Sequence, residues 1–239
     1  QPNNILGIEY IKALMRFNSK INPVPLKRLG AGYHSLDTRT KLASATGIRT
    51  AMANKDNISG LLPDNCLNII KNHTTIEYND FSTVLGSKLL SMDTLDHIEG
   101  INQDLSNRIA NNKYNFTDIE TFIPMLQSKN YTYSAISRAL LHIILDIKTD
   151  DIKEFISNNY VNYAMILGFN KNTGILSEIN KYTKIPLVSK FATFYKEADN
   201  NQRKMLDINL KADNLYRMIY MNKTSETLPT EFQRQIIIK

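Results

Sequence analysis

Ile21-Asn-Pro-Val-Pro-Leu-Lys-Arg28, then Gly30-Ala-Gly32, then Ala43-Ser-Ala-Thr-Gly-Ile-Arg49 is the stretch on which the fold reading turns. Pro23 and Pro25 forbid a helix, and Val24 and Leu26 alternate with other residues. The first segment therefore predicts a short extended strand, parallel to others in a sheet. The glycines end it, residues 33–42 read as a polar loop, and Ser44 or Thr46 caps a helix running to about Asn54. Upstream, Ile5, Ile8, Ile11, Leu14 and Met15 follow helical spacing. They predict a helix over Asn4 to Phe17 behind a Pro2-Asn3 entrance. Helix, strand, loop, helix is the tail of an α/β domain. One or two strands do not make a stable sheet. Residues 1–56 are therefore expected to be the C-terminal part of such a lobe, with its N-terminal part outside this chain.

From about Asn57 the pattern changes. A short helical turn is expected over 57–62, ended by Pro63, and helices over 64–71, 79–92 and 101–110. A further helix is expected over 116–123, ended or kinked by Pro124. The most apolar helix is expected over 134–147, carrying Ile136, Leu140, Leu141, Ile143, Ile144 and Ile147. Residues 160–169 read as a strand, 170–174 as a turn, 175–181 as a helix, Ile185-Pro-Leu-Val as an extended piece and 203–221 as a helix. The tail from Thr224 reads as irregular. The fold class is mixed α+β: an α/β remnant over 1–56, then a mainly helical domain over 57–239 with one small strand pair near 163–168.

Of the 239 residues, 42% are hydrophobic and 22% charged, which suffices for a core and excludes a disordered chain. No run of 18 apolar residues suggests a membrane span, and the first residues lack the pattern of a secretory signal. The single cysteine, Cys66, excludes an internal disulfide and a cysteine-based zinc cluster. It fits a reducing cytoplasm, and burial is expected for it. The net charge of +6 is uneven. Residues 1–56 hold nine cations and three acids, so residues 57–239 hold twenty of each. The excess suggests a polyanionic partner at the N-terminal end, nucleotide or nucleic acid; a solvated basic face reads the same pattern equally well.

Ala43-Ser-Ala-Thr-Gly-Ile-Arg49 places two hydroxyls, a glycine and an arginine in the first turns of a helix. Free N–H groups and the helix dipole bind phosphate there. Ser44 and Thr46 would add hydroxyl donors, Gly47 close approach, and Arg49 a forked contact. An ordinary N-cap accounts for the same residues. Asn3, before the first helix, and Arg28, at a strand end where α/β sheets place ligand groups, are further candidates. Capping and a surface arginine are their plain alternatives. His34, His73, His97 and His142 show no metal-ligand spacing. Lys129-Asn-Tyr-Thr-Tyr133 leads into the apolar helix carrying Arg138. Cations beside Tyr131 and Tyr133 could clamp nucleic acid, or the tyrosines could simply pack.

In order and spacing these segments resemble one family. They are Pro2-Asn-Asn-Ile-Leu-Gly-Ile-Glu-Tyr-Ile-Lys-Ala-Leu14, Leu26-Lys-Arg28, Tyr33-His34 and Ala43 to Arg49. Tyr131-Thr-Tyr-Ser-Ala-Ile-Ser-Arg-Ala-Leu140, Leu167-Gly-Phe-Asn-Lys171 and Ile185-Pro-Leu-Val-Ser-Lys190 follow. Together they are similar to bacterial tRNA(Met) cytidine acetate ligase. The resemblance implies a nucleotidyltransferase-like (HUP-type) α/β domain followed by a helical domain. It implies an enzyme that activates acetate with ATP, with magnesium, as acetyl-adenylate and acetylates the wobble cytidine of elongator tRNA(Met). A cytoplasmic protein without a membrane partner is implied. Asn3, Arg28, Ser44, Thr46 and Arg49 would contact the nucleotide, and Lys129, Arg138 and Lys190 the tRNA. The family's phosphate-handling motif with two histidines is not among these residues, so the chain is expected to be inactive alone. The competing class is a noncatalytic tRNA-binding or protein-interaction module.

Overall fold

The computed structural model describes residues 2–27, 36–38, 42–171 and 174–239, of Pro2 and Asn3 only the backbone. The chain divides into two compact units, Gln1–His73 and Thr74–Lys239. The change of sequence pattern at Asn57 lies inside the first.

The first unit holds helices α1 (Pro2–Arg16), α2 (Ala45–Ala53) and α3 (Asp64–Lys71). The chain leaves α1 through Asn18, at φ 47°, with Ser19 N–H bonded back to the Leu14 carbonyl at 2.9 Å. The strand expected from Ile21 does not form among the described residues: 21–27 run without a ladder partner. A strand needs a neighbour, and Pro23 and Pro25 have no N–H to give one. Val24 and Leu26 are 76% and 92% exposed as a result. The helical turn expected over 57–62 is also absent. Gly60, at φ 80°, turns the chain instead, with Ser59 N–H on the Asn57 side-chain oxygen. Pro63 then precedes α3, whose Cys66 is half-buried rather than buried.

The second unit is helical. A 3₁₀ turn (Tyr78–Phe81) leads into α4 (Ser82–Ser91), followed by α5 (Gln103–Asn112), α6 (Ile119–Leu126), α7 (Tyr133–Leu145) and α8 (Thr149–Ser157). After these come α9 (Ile175–Tyr182), α10 (Phe191–Glu197) and α11 (Asn200–Thr224). The core forms where apolar positions three and four apart face inward: Leu85 and Leu89, Leu105 and Ile109, Phe122 and Leu126, and Ile136, Leu140 and Ile143 are all buried. Asn102, Asp118, Thr132 and Asp199 each cap a helix by accepting a backbone N–H three residues on. Asp118 explains why α6 starts at Ile119 and not at Phe116. Pro124 lies inside α6 and the helix closes two residues later, so the expected stop comes slightly late. Ser82 and Asn79 accept the Ile119 and Glu120 N–H groups, which joins the start of α6 to the start of α4.

Four two-residue strands complete the unit among the described residues. β1 (Ala164–Met165) pairs in parallel with β3 (Leu187–Val188), and β2 (Gly168–Phe169) with β4 (Ile237–Ile238). The expected single pair is thus two pairs, and the tail expected to be irregular supplies one partner. A Cβ at Gly168 would lie 2.8 Å from the Ile237 carbonyl oxygen, so only glycine fits there. Helices α8 and α10 were not expected.

Lys223, near the end of α11, reaches back to Asp80 at 2.7 Å. Burial alone would raise the Asp80 carboxyl. The Glu77 N–H and the Lys223 ammonium outweigh it and hold Asp80 below the usual 3.8. A carboxyl depressed by folding stabilises above its unfolded pKa, and that contribution is lost as pH falls through the folded value. Asp80→Asn is therefore expected to unfold at lower urea than the parent at pH 7, with the gap shrinking as pH falls below 3.8. A gap that stays constant with pH refutes the pairing. Phe122→Ala should cost about 3–5 kcal/mol in the same assay.

Candidate functional site

Helix α2 is built by its first residue. Ser44 stands just outside it in extended backbone (φ −74°, ψ 154°), fully buried, and its Oγ accepts the Gly47 N–H at 2.9 Å. Its carbonyl takes the Ile48 N–H at 3.0 Å. The N–H groups of Ala45 and Thr46 have no hydrogen-bond partner among the described residues, and they point along the positive end of the helix dipole. Gly47 is buried, Thr46 half-buried and Arg49 exposed. Thr46 and Arg49 are three apart and share one face of the helix. Arg49 makes no ion pair among the described residues. The arrangement can hold a phosphate between two backbone N–H groups, a hydroxyl and a forked cation.

The structure brings Ser44, Thr46 and Arg49 together on α2 and gives Ser44 the capping task. Asn3 lies in the first turn of α1, but its side chain, like Arg28, Tyr33 and His34, lies outside the described residues. Lys129 sits in the turn before α7, Arg138 on the exposed side of α7, and Lys190 directly before α10; all three are exposed. Tyr131 donates to Asn102 Oδ1 at 2.6 Å and so helps join the α7 entrance to the α5 cap. That favours packing as its task. His142 lies within 2.8 Å of the Glu99 carbonyl oxygen. Among the described residues no three His, Cys, Asp or Glu side chains stand where they could hold a metal ion, and no helix is long and apolar enough to cross a membrane.

Sequence reading did not single out a cleft of ≈ 490 Å³ in the second unit, set between α7, α8 and α11. Four separate stretches wall it, so no local pattern marks it. Arg203, whose guanidinium carbon lies 4.0 Å from the centre of the Tyr195 ring, belongs to an aromatic cluster with Phe191 and Phe232 instead.

Residues 1–231 match the family of HIGH Nucleotidyl Transferases. The tRNA(Met) cytidine acetate ligase of Thermoanaerobacter sp. (strain X514) is 32% identical over 230 residues, which cover 93% of this chain. That of Caldanaerobacter subterraneus subsp. tengcongensis is 35% identical over 228 residues, 92% of this chain. The chain spans 56% of the length of each. Among solved structures, Thermotoga maritima TmcAL in its apo form superimposes with a TM-score of 0.85 at 23% identity, over 99% of this chain and 60% of that one. The same protein bound with alpha-thio ATP gives 0.84. The likeness shows a nucleotidyltransferase-like fold, here helix-rich with small parallel sheets.

If Ser44 builds the site by capping, Ser44→Ala should destabilise α2 by about 1 kcal/mol. Amide exchange over Thr46 to Ala53 should speed up while that of α7 stays unchanged. Unchanged exchange along α2 would remove the cap from the account.

Proposed function

Because the chain belongs to the HIGH Nucleotidyl Transferase family, we propose that it is part of an ATP-dependent ligase that acetylates the wobble cytidine of elongator tRNA(Met). The observation that carries this reading is the start of α2, where two N–H groups beside Thr46 and Arg49 have no partner among the described residues, in the segment that holds all of the chain's excess positive charge. Phosphate is what such a helix end binds. Residues 1–56 are then the C-terminal part of the nucleotide-binding lobe and residues 57–239 a mainly helical domain, acting in the cytoplasm.

The chemistry has two steps. An acetate oxygen attacks the α-phosphorus of ATP and pyrophosphate leaves, giving acetyl-adenylate. The cytosine amine then attacks the acetyl carbonyl and AMP leaves. This chain's own contribution is to hold the nucleotide: Asn3 and Arg28 as contacts, Thr46 and Arg49 on the phosphate side, Ser44 by shaping the helix end. Charge that builds on the phosphorus oxygens is stabilised by donors already in place. A magnesium ion, if used, would ride on the nucleotide's phosphates, since no described set of carboxylates stands ready for it. Lys129, Arg138 and Lys190 are assigned to the tRNA backbone.

A second reading is a noncatalytic tRNA-binding or protein-interaction module, in which Ser44 only caps α2. ATP binding separates the two. On the first reading this chain alone turns over no ATP with acetate, and turnover appears when it is joined to the part of the longer relatives that it does not span.

In that joined protein, Arg28→Ala and Arg49→Ala each remove a charge-assisted contact worth roughly 1.5–3 kcal/mol. ATP affinity or turnover should fall about 10- to 150-fold. Lys129→Ala, Arg138→Ala and Lys190→Ala should spare adenylate formation and weaken tRNA acetylation, with a shallower salt dependence. Acetate-dependent pyrophosphate release without tRNA, and acetylation with it, read the two groups separately. Intact adenylate formation in the arginine variants moves the nucleotide site elsewhere. Intact acetylation in the lysine and Arg138 variants at moderate salt moves the RNA face to the basic N-terminal residues.

A further inference from the structure

The cleft in the second unit, at ≈ 490 Å³, falls within the usual range of about 300–1,000 Å³ for small-molecule sites. Ile152, Phe155 and Ile208 make its apolar wall. None of its described lining residues is Asp, Glu, Lys or Arg, so it suits a neutral group and not a phosphate, carboxylate or ammonium.

Its polar atoms have capacity to spare. The Glu99 carbonyl can only accept, so the His142 ring donates to it from Nδ1, which leaves Nε2 for another partner. Asn209 Nδ2 donates to the Tyr163 hydroxyl at 2.5 Å, which leaves that hydroxyl's own proton and Asn209 Oδ1 for other partners. Burial pushes Tyr163 above its usual value, so the proton stays on at neutral pH. Among the described residues the Asn162 side-chain amide reaches only the Met205 sulfur, a weak acceptor at 3.9 Å. Asn159 and Tyr160 are consecutive left-handed residues, at φ 64° and 61°. Tyr160 and Val161, both lining the cleft, remain about half exposed.

We propose that this cleft is a nucleobase pocket, in which a neutral heteroaromatic ring lies between the apolar wall and Tyr160 with its edge read by Asn162, Tyr163, Asn209 and His142. Aromatic rings accept base faces of any sequence, and side-chain amides match the paired donors and acceptors of base edges. The base comes from a free nucleoside or from an unstacked position in RNA. Lys211 donates to the Leu145 carbonyl at 2.7 Å, and Lys148 lies 4.0 Å from Asp146. Both ammonium groups gather at the C-terminal end of α7, which the lining residue Ile147 follows, and a phosphate flanking a bound base would compete there with Asp146 for Lys148. Only the RNA source rests on the tRNA reading above. The titrations that follow contain neither ATP nor acetate, so their failure is distinct from failure of the ligase reading.

The ¹⁵N-labelled chain is titrated with cytidine, adenosine, ribose 5-phosphate, toluene and a short single-stranded oligoribonucleotide. Saturable shifts around Tyr160, Asn162 and Asn209 are expected with the nucleosides and not with ribose 5-phosphate. Val161→Trp, which fills the cleft from a half-exposed position, and Asn209→Leu should each weaken binding about tenfold or more. A tighter fit of the oligonucleotide, lost in Lys148→Ala, supports RNA as the source; equal affinity supports free nucleosides. Absence of saturable shifts with either nucleoside overturns the pocket. Toluene binding as well as cytidine, with Asn209→Leu neutral, overturns it too by leaving only a general apolar cleft.

Discussion

The second unit depends on the burial of α7. Ile136, Ala139, Leu140, Ile143 and Ile144 are all buried along it, and α4, α6 and α11 each pack on it. A helix this apolar is stable only when covered, and the elements around it are amphipathic strips that need something to cover. Each solves the other's problem. The ends are where polar groups must be accommodated. Thr132 opens α7 as a cap, and Asp146 closes it at φ 56° with the Lys211 ammonium on the last turn's Leu145 carbonyl. A cation at the negative end of the dipole is favourable.

The elements legible in the sequence are those whose cause is local. The apolar spacing of α7 and the Ser44 cap of α2 act within a few residues, and both helices lie where expected. The misses share the opposite property. A two-residue strand such as β4 has no periodicity to read, because its pairing with Gly168 is made across the whole of α9, α10 and α11. Phe191, Phe194 and Tyr195 look like strand residues and fold as α10, since Phe191 and Tyr195 stack with Phe232 and Arg203 covers Tyr195. Tertiary contact overrides propensity there. The strand expected from Ile21 carries the right local signal and finds no partner among the described residues.

The candidate site divides the same way. Helix-end chemistry at Ser44, Thr46 and Arg49 could be read from residue types, but the bond from the Gly47 N–H and the burial of Ser44 show which hydroxyl caps. The four-stretch cleft could not be read at all. Positive charge was legible as a count per segment. Its grouping on a surface is a property of the fold, and Lys148 and Lys211 converge on the end of α7 from different elements.

The pairing of β2 with β4 sets an order of events on the ribosome. Phe169 is synthesised long before Lys239, whose N–H it receives at 3.1 Å. Until α11 has been made and the chain has turned back, the β2 edge has no partner and Gly168 leaves it bare of side-chain cover. An open edge of this kind invites strand addition from another chain. The nascent protein therefore carries an exposed edge in the interval between the emergence of β2 and that of β4, and slow decoding of the stretch between them would lengthen that interval.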